Sequence, residues 1–291
     1  MLSTTKAILV SMRPKQWTKN LIIFAAIIFS QNLNRPVFLA KVILAFILFS
    51  FLSGAVYIFN DLKDLEKDKM HQKKRKRPLP SGQLNSQVAL ITSSLVALFS
   101  LGISLFIEPL FGLVALSYFL LQICYTFYLK EQVIFDVMTI AAGFVLRAIA
   151  GAVVISVRIS PWLLLCAALL ALFLGLAKRR HELVLLENNA SNHRPILEEY
   201  SITLLDEMIS MVTSATIVTY ALYTFFSETA AKSHYLMATI PFVIYGLFRY
   251  LYLMHQKNLG GSPEEILLTD GPLVVDIILW LITVCIVLYL G

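Results

Sequence analysis

The residues best suited to chemistry stand together in one short run. Residues 59–69 read FNDLKDLEKDK, and Asn60, Asp61, Asp64 and Asp68 bear oxygen ligands in the pattern N-D-x-x-D-x-x-x-D. On a continuous helix, at about 100° per residue, these four side chains fall within an arc of about 100°, while Lys63 and Lys67 point further round. Three carboxylates on one face repel each other unless a cation sits among them. Hard oxygen ligands suit Mg²⁺, which keeps waters and binds through one or two carboxylates plus substrate phosphates. The run therefore predicts a Mg²⁺–diphosphate site, with Asp61 and Asp64 as its catalytic carboxylates; a solvated helix end of mixed charge is the plainer alternative. A basic run, KKRKRPLPSG (73–82), follows closely. Lys73, Lys74 and Lys76 suit a topology signal or contact with anionic lipid. Arg77 directly precedes a proline- and glycine-bearing turn that can fix its guanidinium as a phosphate fork.

The elements that position this run follow from composition. Of 291 residues, 58% are apolar and 14% charged, and the mean hydropathy is +0.76. Soluble domains are about 45–50% apolar and about 25% charged, so a soluble enzyme, a nucleic-acid-binding domain and a disordered chain are excluded. Apolar runs predict nine membrane spans: 17–33, 37–59, 87–106, 109–129, 133–155, 160–177, 203–226, 234–254 and 273–290. Pro36, Pro109, Pro161 and Pro272 stand at or beside the starts of spans, where proline is tolerated in a first helical turn. No linker divides the chain, so 1–291 reads as one all-α polytopic domain. The N-terminus lacks the cleavage pattern of a signal peptide. Cys124, Cys166 and Cys285 lie in apolar runs with no C-x-x-C, which predicts neither disulfides nor zinc. His71, His181, His193, His234 and His255 show no ligand spacing.

Nineteen of the 24 basic residues fall on one side of the nine spans; Arg35, Lys41, Arg158 and Lys232 fall on the other, and Arg147 lies within a span. By the positive-inside rule the N-terminus and the loops 60–86 and 178–202 are cytoplasmic, with Gly291 outside. Both long loops, and most of the polar chemistry, then share one face. That suits an enzyme or receptor in the cell (inner) membrane working on a cytosolic molecule better than a pore or a transporter, whose polar groups gather at mid-membrane.

An arginine inside a span faces a cavity or a partner. Asp136 lies eleven residues before Arg147, on the same helical face but about 16 Å away along the axis. The pair predicts two residues lining one polar cleft, or separate structural ion pairs. Tyr125, Tyr128 and Lys130 close the fourth span, either as an interfacial belt or, for Tyr128 and Lys130, as ligands to phosphate or ribose at the cleft mouth.

The run NDLKDLEKD with RPLPSG behind it resembles the UbiA superfamily of intramembrane prenyltransferases. The segments MRPKQWTKN (12–20), YLKEQVIFDVMTIAAGFVLRAIAGA (128–152) and ISPWLLLCAALLALFLGLAKRRHEL (159–183) narrow the resemblance to the decaprenyl-phosphate phosphoribosyltransferase branch. It covers nearly the whole chain. It implies a nine-helix bundle with a cleft open to the cytoplasm and to lipid. The implied reaction is Mg²⁺-dependent, with Mn²⁺ a possible substitute: 5-phosphoribosyl 1-diphosphate and a polyprenyl phosphate give polyprenylphosphoryl-5-phosphoribose and diphosphate, a step toward cell-wall arabinose donors. It also implies ligand contacts for Lys15, Lys19 and Asn20.

One segment departs from the superfamily. Where a second aspartate-rich motif is expected after the sixth span, the chain reads AKRRHELVLLENN: Lys178, Arg179 and Arg180 replace the carboxylates, and Glu182 is the nearest one. One acidic and one basic cluster suit a substrate with a diphosphate and a separate 5-phosphate, held by one Mg²⁺ clamp and several basic forks. The same cluster could simply mark topology. A polyprenyl phosphate is already largely dianionic at neutral pH, so the reaction needs no general base, and no Ser/His or Cys/His nucleophile arrangement is present. The runner-up is a UbiA-type transferase that moves a prenyl group from a prenyl diphosphate to an aromatic or lipid acceptor.

Overall fold

The computed structural model describes residues 3–71, 74–187, 195–232, 234–261 and 263–290. Lys73, His193, Arg194 and Gly291, which entered the charge and topology readings, lie outside them. Among the described residues the chain is helical throughout, with no strand. A short α1 (Thr4–Ser11) leads into a 3₁₀ run, Pro14–Phe24, which continues as α2 (Ala25–Phe29). Then come α3 (Pro36–Lys63), α4 (Leu65–Met70), α5 (Ser86–Ile107), α6 (Pro109–Phe127), α7 (Phe135–Val153), α8 (Pro161–Glu187), α9 (Ile202–Phe226), α10 (Glu228–Lys232), α11 (Ile240–Gln256), α12 (Pro263–Thr269) and α13 (Gly271–Tyr289).

Eight helices among the described residues are long and apolar enough to cross a membrane: α3, α5, α6, α7, α8, α9, α11 with the turn before it, and α13. The protein is a multi-pass membrane protein. Proline begins α3, α6 and α8 and is second in α13, where its missing N–H is no loss. Side chains cap other starts: Asn85 Oδ1 accepts from Gln87 N at 2.8 Å for α5, and Asp270 Oδ1 accepts from Leu273 N at 3.0 Å for α13.

The expected first span, 17–33, is not one continuous α-helix. Residues Pro14–Phe24 wind as 3₁₀ before the short α2. Arg13, ahead of Pro14, holds a left-handed backbone (φ 53°). Inside the bundle, Asn20 is fully buried and donates its amide to Ser50 Oγ (3.1 Å) and Ser53 Oγ (3.3 Å) of α3. Further along, the Ile23 carbonyl abuts Gly151 of α7 so closely that a Cβ there would collide with it. Substituting Gly151 by Val must push the two backbones apart, an overpacking cost of about 1–3 kcal/mol. A lower melting temperature in detergent is the expected result, and an unchanged one would mean the segment shifts freely.

Packing follows a polarity order suited to lipid. Phe49, Phe111 and Tyr118 centre one apolar core, and Phe173, Leu247 and Tyr250 another. Large apolar residues such as Leu98 and Phe106 face outward. The polar groups Ser50, Ser53, Asp136, Arg147 and Arg179 are buried inside, where each must find a partner.

Candidate active site

The acidic run sits where α3 ends. The α-helix breaks at Asp64 (φ −93°, ψ 10°) and resumes as α4, so the continuous helix assumed from spacing is interrupted at its middle aspartate. The interruption turns Asp64 away from its neighbours while Asp61 and Asp68 still converge. Asp61 and Asp68 are buried, and a single nitrogen of Arg77 lies between them, 3.1 Å from Asp61 Oδ1 and 2.7 Å from Asp68 Oδ2. Arg13 also pairs with Asp61, and Lys74 Nζ lies 3.3 Å from Asp68. Asp64 is held separately by Lys130, whose ammonium lies 2.7 and 2.8 Å from its two oxygens. Asn60 is half-buried beside them and accepts Asp64 N–H through its backbone carbonyl. Three carboxylates thus face four cations. Lys63 points away, over the Phe127 ring.

Local structure explains why Arg77 stays in place. Its carbonyl accepts Ser81 N–H, Pro78 O accepts Leu84 N–H, and Gly82 takes the left-handed φ of 75° that closes the turn. Leu79 and Leu84 are buried against Ala7, Met12 and Ile58, so the turn is anchored at both ends. Arg13 is fixed from its other face by stacking over Tyr57, 4.9 Å from the ring centre.

These residues fit a divalent cation. The Arg77 nitrogen already occupies a point shared by two buried carboxylates, and a small cation with oxygen ligands suits the same point. The described residues hold no ready cage of three or more His, Cys, Asp or Glu side chains. Mg²⁺ does not require one, because it takes its remaining ligands from water and phosphate.

The other expected residues divide into separate clusters. Asp136 is fully buried, and its two oxygens meet Arg179 Nε at 2.6 Å and the Tyr200 hydroxyl at 2.9 Å. Arg179 also reaches Glu182 at 2.6 Å and approaches the Tyr125 hydroxyl at 3.5 Å. Tyr200 accepts Ile134 N–H at 2.7 Å. Burial pushes its phenol up to about 12, so it remains a donor at neutral pH. Arg180 turns the other way and forks onto Asp206, with His255 3.9 Å from the same carboxylate. Lys178 is half-buried on the same turn. The basic run is therefore not one phosphate-binding patch: successive helix positions point about 100° apart, and Arg179 and Arg180 serve different neighbours. Arg179 in particular is engaged by two carboxylates rather than open to a phosphate.

Arg147 and Asp136 are held by different neighbours. Arg147 donates to Asn20 Oδ1 (2.6 Å), Gly143 O (2.9 Å) and Tyr118 Oη (2.8 Å), and its guanidinium stacks 4.6 Å from the Tyr118 ring. Among the described residues no carboxylate pairs with it. Asn20, expected to meet the ligand, is instead a buried tie between the 3₁₀ segment, α3 and α7. Tyr128 is 73% exposed at the end of α6, outside the ion-pair cluster, and the neighbouring Lys130 is the residue that turns in. Lys15 is exposed and Lys19 half-buried on the 3₁₀ segment.

Spacing did not single out Arg13, Lys74, Tyr118, Tyr200 or Asp206. No local pattern links Arg13 to an aspartate 48 positions later. Tyr57, stacked against the Arg13 guanidinium, is a tertiary neighbour that spacing does not show.

The protein is a membrane-embedded helical bundle with buried acidic and basic groups gathered at one end. The chain matches the UbiA prenyltransferase family over residues 21–264, and it belongs to that family. It is 32% identical to the decaprenyl-phosphate phosphoribosyltransferase of Mycobacterium tuberculosis, covering 94% of this chain and 91% of the relative. It is 34% identical to that of Corynebacterium glutamicum, covering 96% and 86%. Among solved structures, a UbiA homolog from Archaeoglobus fulgidus bound to GPP and Mg²⁺ superposes with a TM-score of 0.75 at 18% identity, over 97% of this chain and 99% of that one. A digeranylgeranylglyceryl phosphate synthase superposes with a TM-score of 0.66 at 19% identity, over the full length of both.

Proposed function

We propose that the protein transfers 5-phosphoribose from 5-phosphoribosyl 1-diphosphate to a polyprenyl phosphate and releases diphosphate, on the route to arabinose donors. The observation that carries this reading is the near-full-length likeness to two phosphoribosyltransferases. The composition of the site supports it: buried carboxylates suited to one metal lie beside four cations suited to several phosphates.

The residues would work as follows. Asp61 and Asp68, with Asp64 and Asn60 beside them, would hold Mg²⁺, or Mn²⁺ in its place, and the metal would supply positive charge to the leaving diphosphate. As the donor enters, Arg13, Arg77, Lys74 and Lys130 would leave their carboxylates for phosphate oxygens. An oxygen of the lipid phosphate attacks ribose C1, the C1–O bond to diphosphate breaks, and the anomeric centre inverts. Diphosphate carries away the bonding pair, and no proton need move. The four cations stabilise charge that grows on the leaving group, the most effective place for fixed charge in a transition state. Asp136, Arg179, Glu182 and Tyr200 hold α7, α8 and the segment before α9 in register behind them.

We place the site on the cytoplasmic side of the inner membrane, from the nineteen basic residues on that face. The first segment completes nine crossings. Eleven 3₁₀ residues and five α residues rise about 30 Å together, the thickness of a bilayer's apolar core.

Two experiments test the reading. Membranes given radiolabelled 5-phosphoribosyl 1-diphosphate and polyprenyl phosphates of several lengths should yield a labelled lipid that a chelator abolishes. Label confined to the aqueous phase would overturn the assignment. For Arg13, replacement by Gln removes one charged hydrogen bond to phosphate, worth about 1.5–3 kcal/mol. The KM for the donor should rise about tenfold or more with the KM for the lipid unchanged, whereas an unchanged donor KM would return Arg13 to a structural part.

A further inference from the structure

A polar cavity of about 270 Å³ opens at the end of the bundle remote from the acidic run. Its walls come from three connections. Ser30 and Asn32 follow α2, Arg158 lies between α7 and α8, and Glu228 and Thr229 begin α10, with Tyr223 of α9 behind them. Hydrogen bonds hold the walls: Asn32 Nδ2 donates to Ser30 O at 2.9 Å, and Thr229 Oγ1 donates to Phe29 O at 3.3 Å.

Three features of this cavity bear on what it could bind. Arg158 stands on the face that carries only four of the chain's basic residues, against the charge bias of membrane insertion. Arg158 and Glu228 are exposed and line the same space, and neither forms an ion pair or hydrogen bond with the other or with any other described residue. Tyr223 is 0% exposed, and its hydroxyl lies beside those of Ser227 and Thr229 without a well-aligned hydrogen bond to either.

A ligand bearing one anionic and one cationic group would answer all three. An arginine is matched to phosphate, a tyrosine hydroxyl can donate to a phosphate oxygen, and a carboxylate accepts from an ammonium. We propose that this cavity binds a phosphoamine group of the phosphoethanolamine kind, with its phosphate on Arg158 and Tyr223 and its primary ammonium on Glu228. A phospholipid headgroup and a water-soluble phosphoamine share this chemistry. The site lies at the other end of the bundle from the residues of the proposed transfer reaction, so it stands whether or not that reading holds.

Native mass spectrometry of the full-length protein tests it. The detergent-purified protein is offered equal amounts of phosphatidylethanolamine and phosphatidylglycerol of one acyl composition, with and without soluble glycerophosphoethanolamine. Preferential retention of phosphatidylethanolamine is expected. Arg158→Ala and Glu228→Ala should each lower it about fivefold, the upper range for a partly exposed charge contact, and Tyr223→Phe should lower it less. Phosphoribosyl transfer, or for that matter the melting temperature, should be unchanged in the two charge variants. Displacement by glycerophosphoethanolamine would show that the headgroup alone suffices and that a soluble source fits; retention despite it would identify the lipid as the source. Equal retention of phosphatidylglycerol, or phosphatidylethanolamine retention that neither charge variant alters, would overturn the proposal.

Discussion

Asp61→Asn is expected to lower kcat/KM by about 10²-fold or more, the loss typical of one electrostatic group in a transition state. Asp61 is the carboxylate on which two guanidinium groups converge, and it is buried. Asparagine keeps the shape and removes the charge, so neither a metal nor the two arginines would be held as before. Asp64→Asn should act comparably by a different path, because it frees the Lys130 ammonium from its only carboxylate among the described residues. Steady-state kinetics on inserted, monodisperse protein check both. Turnover near that of the unaltered protein in both variants would remove the acidic run from catalysis and leave it a structural ion-pair cluster.

Arg179→Met should act on stability instead. Arg179 and Asp136 are 2% and 0% exposed as side chains, and removing one partner of a buried pair strands the other charge, at a cost of about 3–5 kcal/mol. A large fall in the melting temperature and in the yield of folded protein is expected. The double replacement Arg179→Met with Asp136→Asn should recover part of the loss, because no fully buried charge is then stranded and Glu182 is partly exposed. Protein that survives should keep its KM for 5-phosphoribosyl 1-diphosphate close to the starting value. A stable Arg179→Met protein with a sharply raised donor KM would mean that Arg179 leaves Asp136 to bind phosphate.

The contrast between these two arginine-bearing regions shows what the sequence made legible. Helix starts at Pro36, Pro109 and Pro161 could be read locally, because proline's missing N–H is tolerated only in a first turn. That α3 delivers Asp61 to the end of a membrane helix was also local, since an apolar run that stops at N-D marks its own boundary. The break at Asp64 was not, because nothing in L-K-D-L-E opposes helix; the halt comes with Lys130 drawing Asp64 toward the end of α6. Residues 178–180 misled in the opposite direction. Three adjacent basic residues look like one patch in a string of letters, but on a helix they radiate, and their carboxylate partners at positions 136 and 206 are invisible to spacing. The first span read as an ordinary helix because its apolar content is helical, whereas its 3₁₀ winding follows close contacts with Ser50, Ser53 and Gly151 from elsewhere in the chain.

The central claim is that this bundle moves a phosphoribosyl group and not a prenyl group. Purified protein in lipid nanodiscs, given Mg²⁺, 5-phosphoribosyl 1-diphosphate, a polyprenyl phosphate, a prenyl diphosphate and an aromatic acceptor together, lets it choose. Mass spectrometry of the extracted lipids should find the polyprenyl phosphate heavier by one 5-phosphoribosyl group, with diphosphate released in equal amount, and the prenyl diphosphate unconsumed. A prenylated acceptor with the polyprenyl phosphate unaltered would contradict the account.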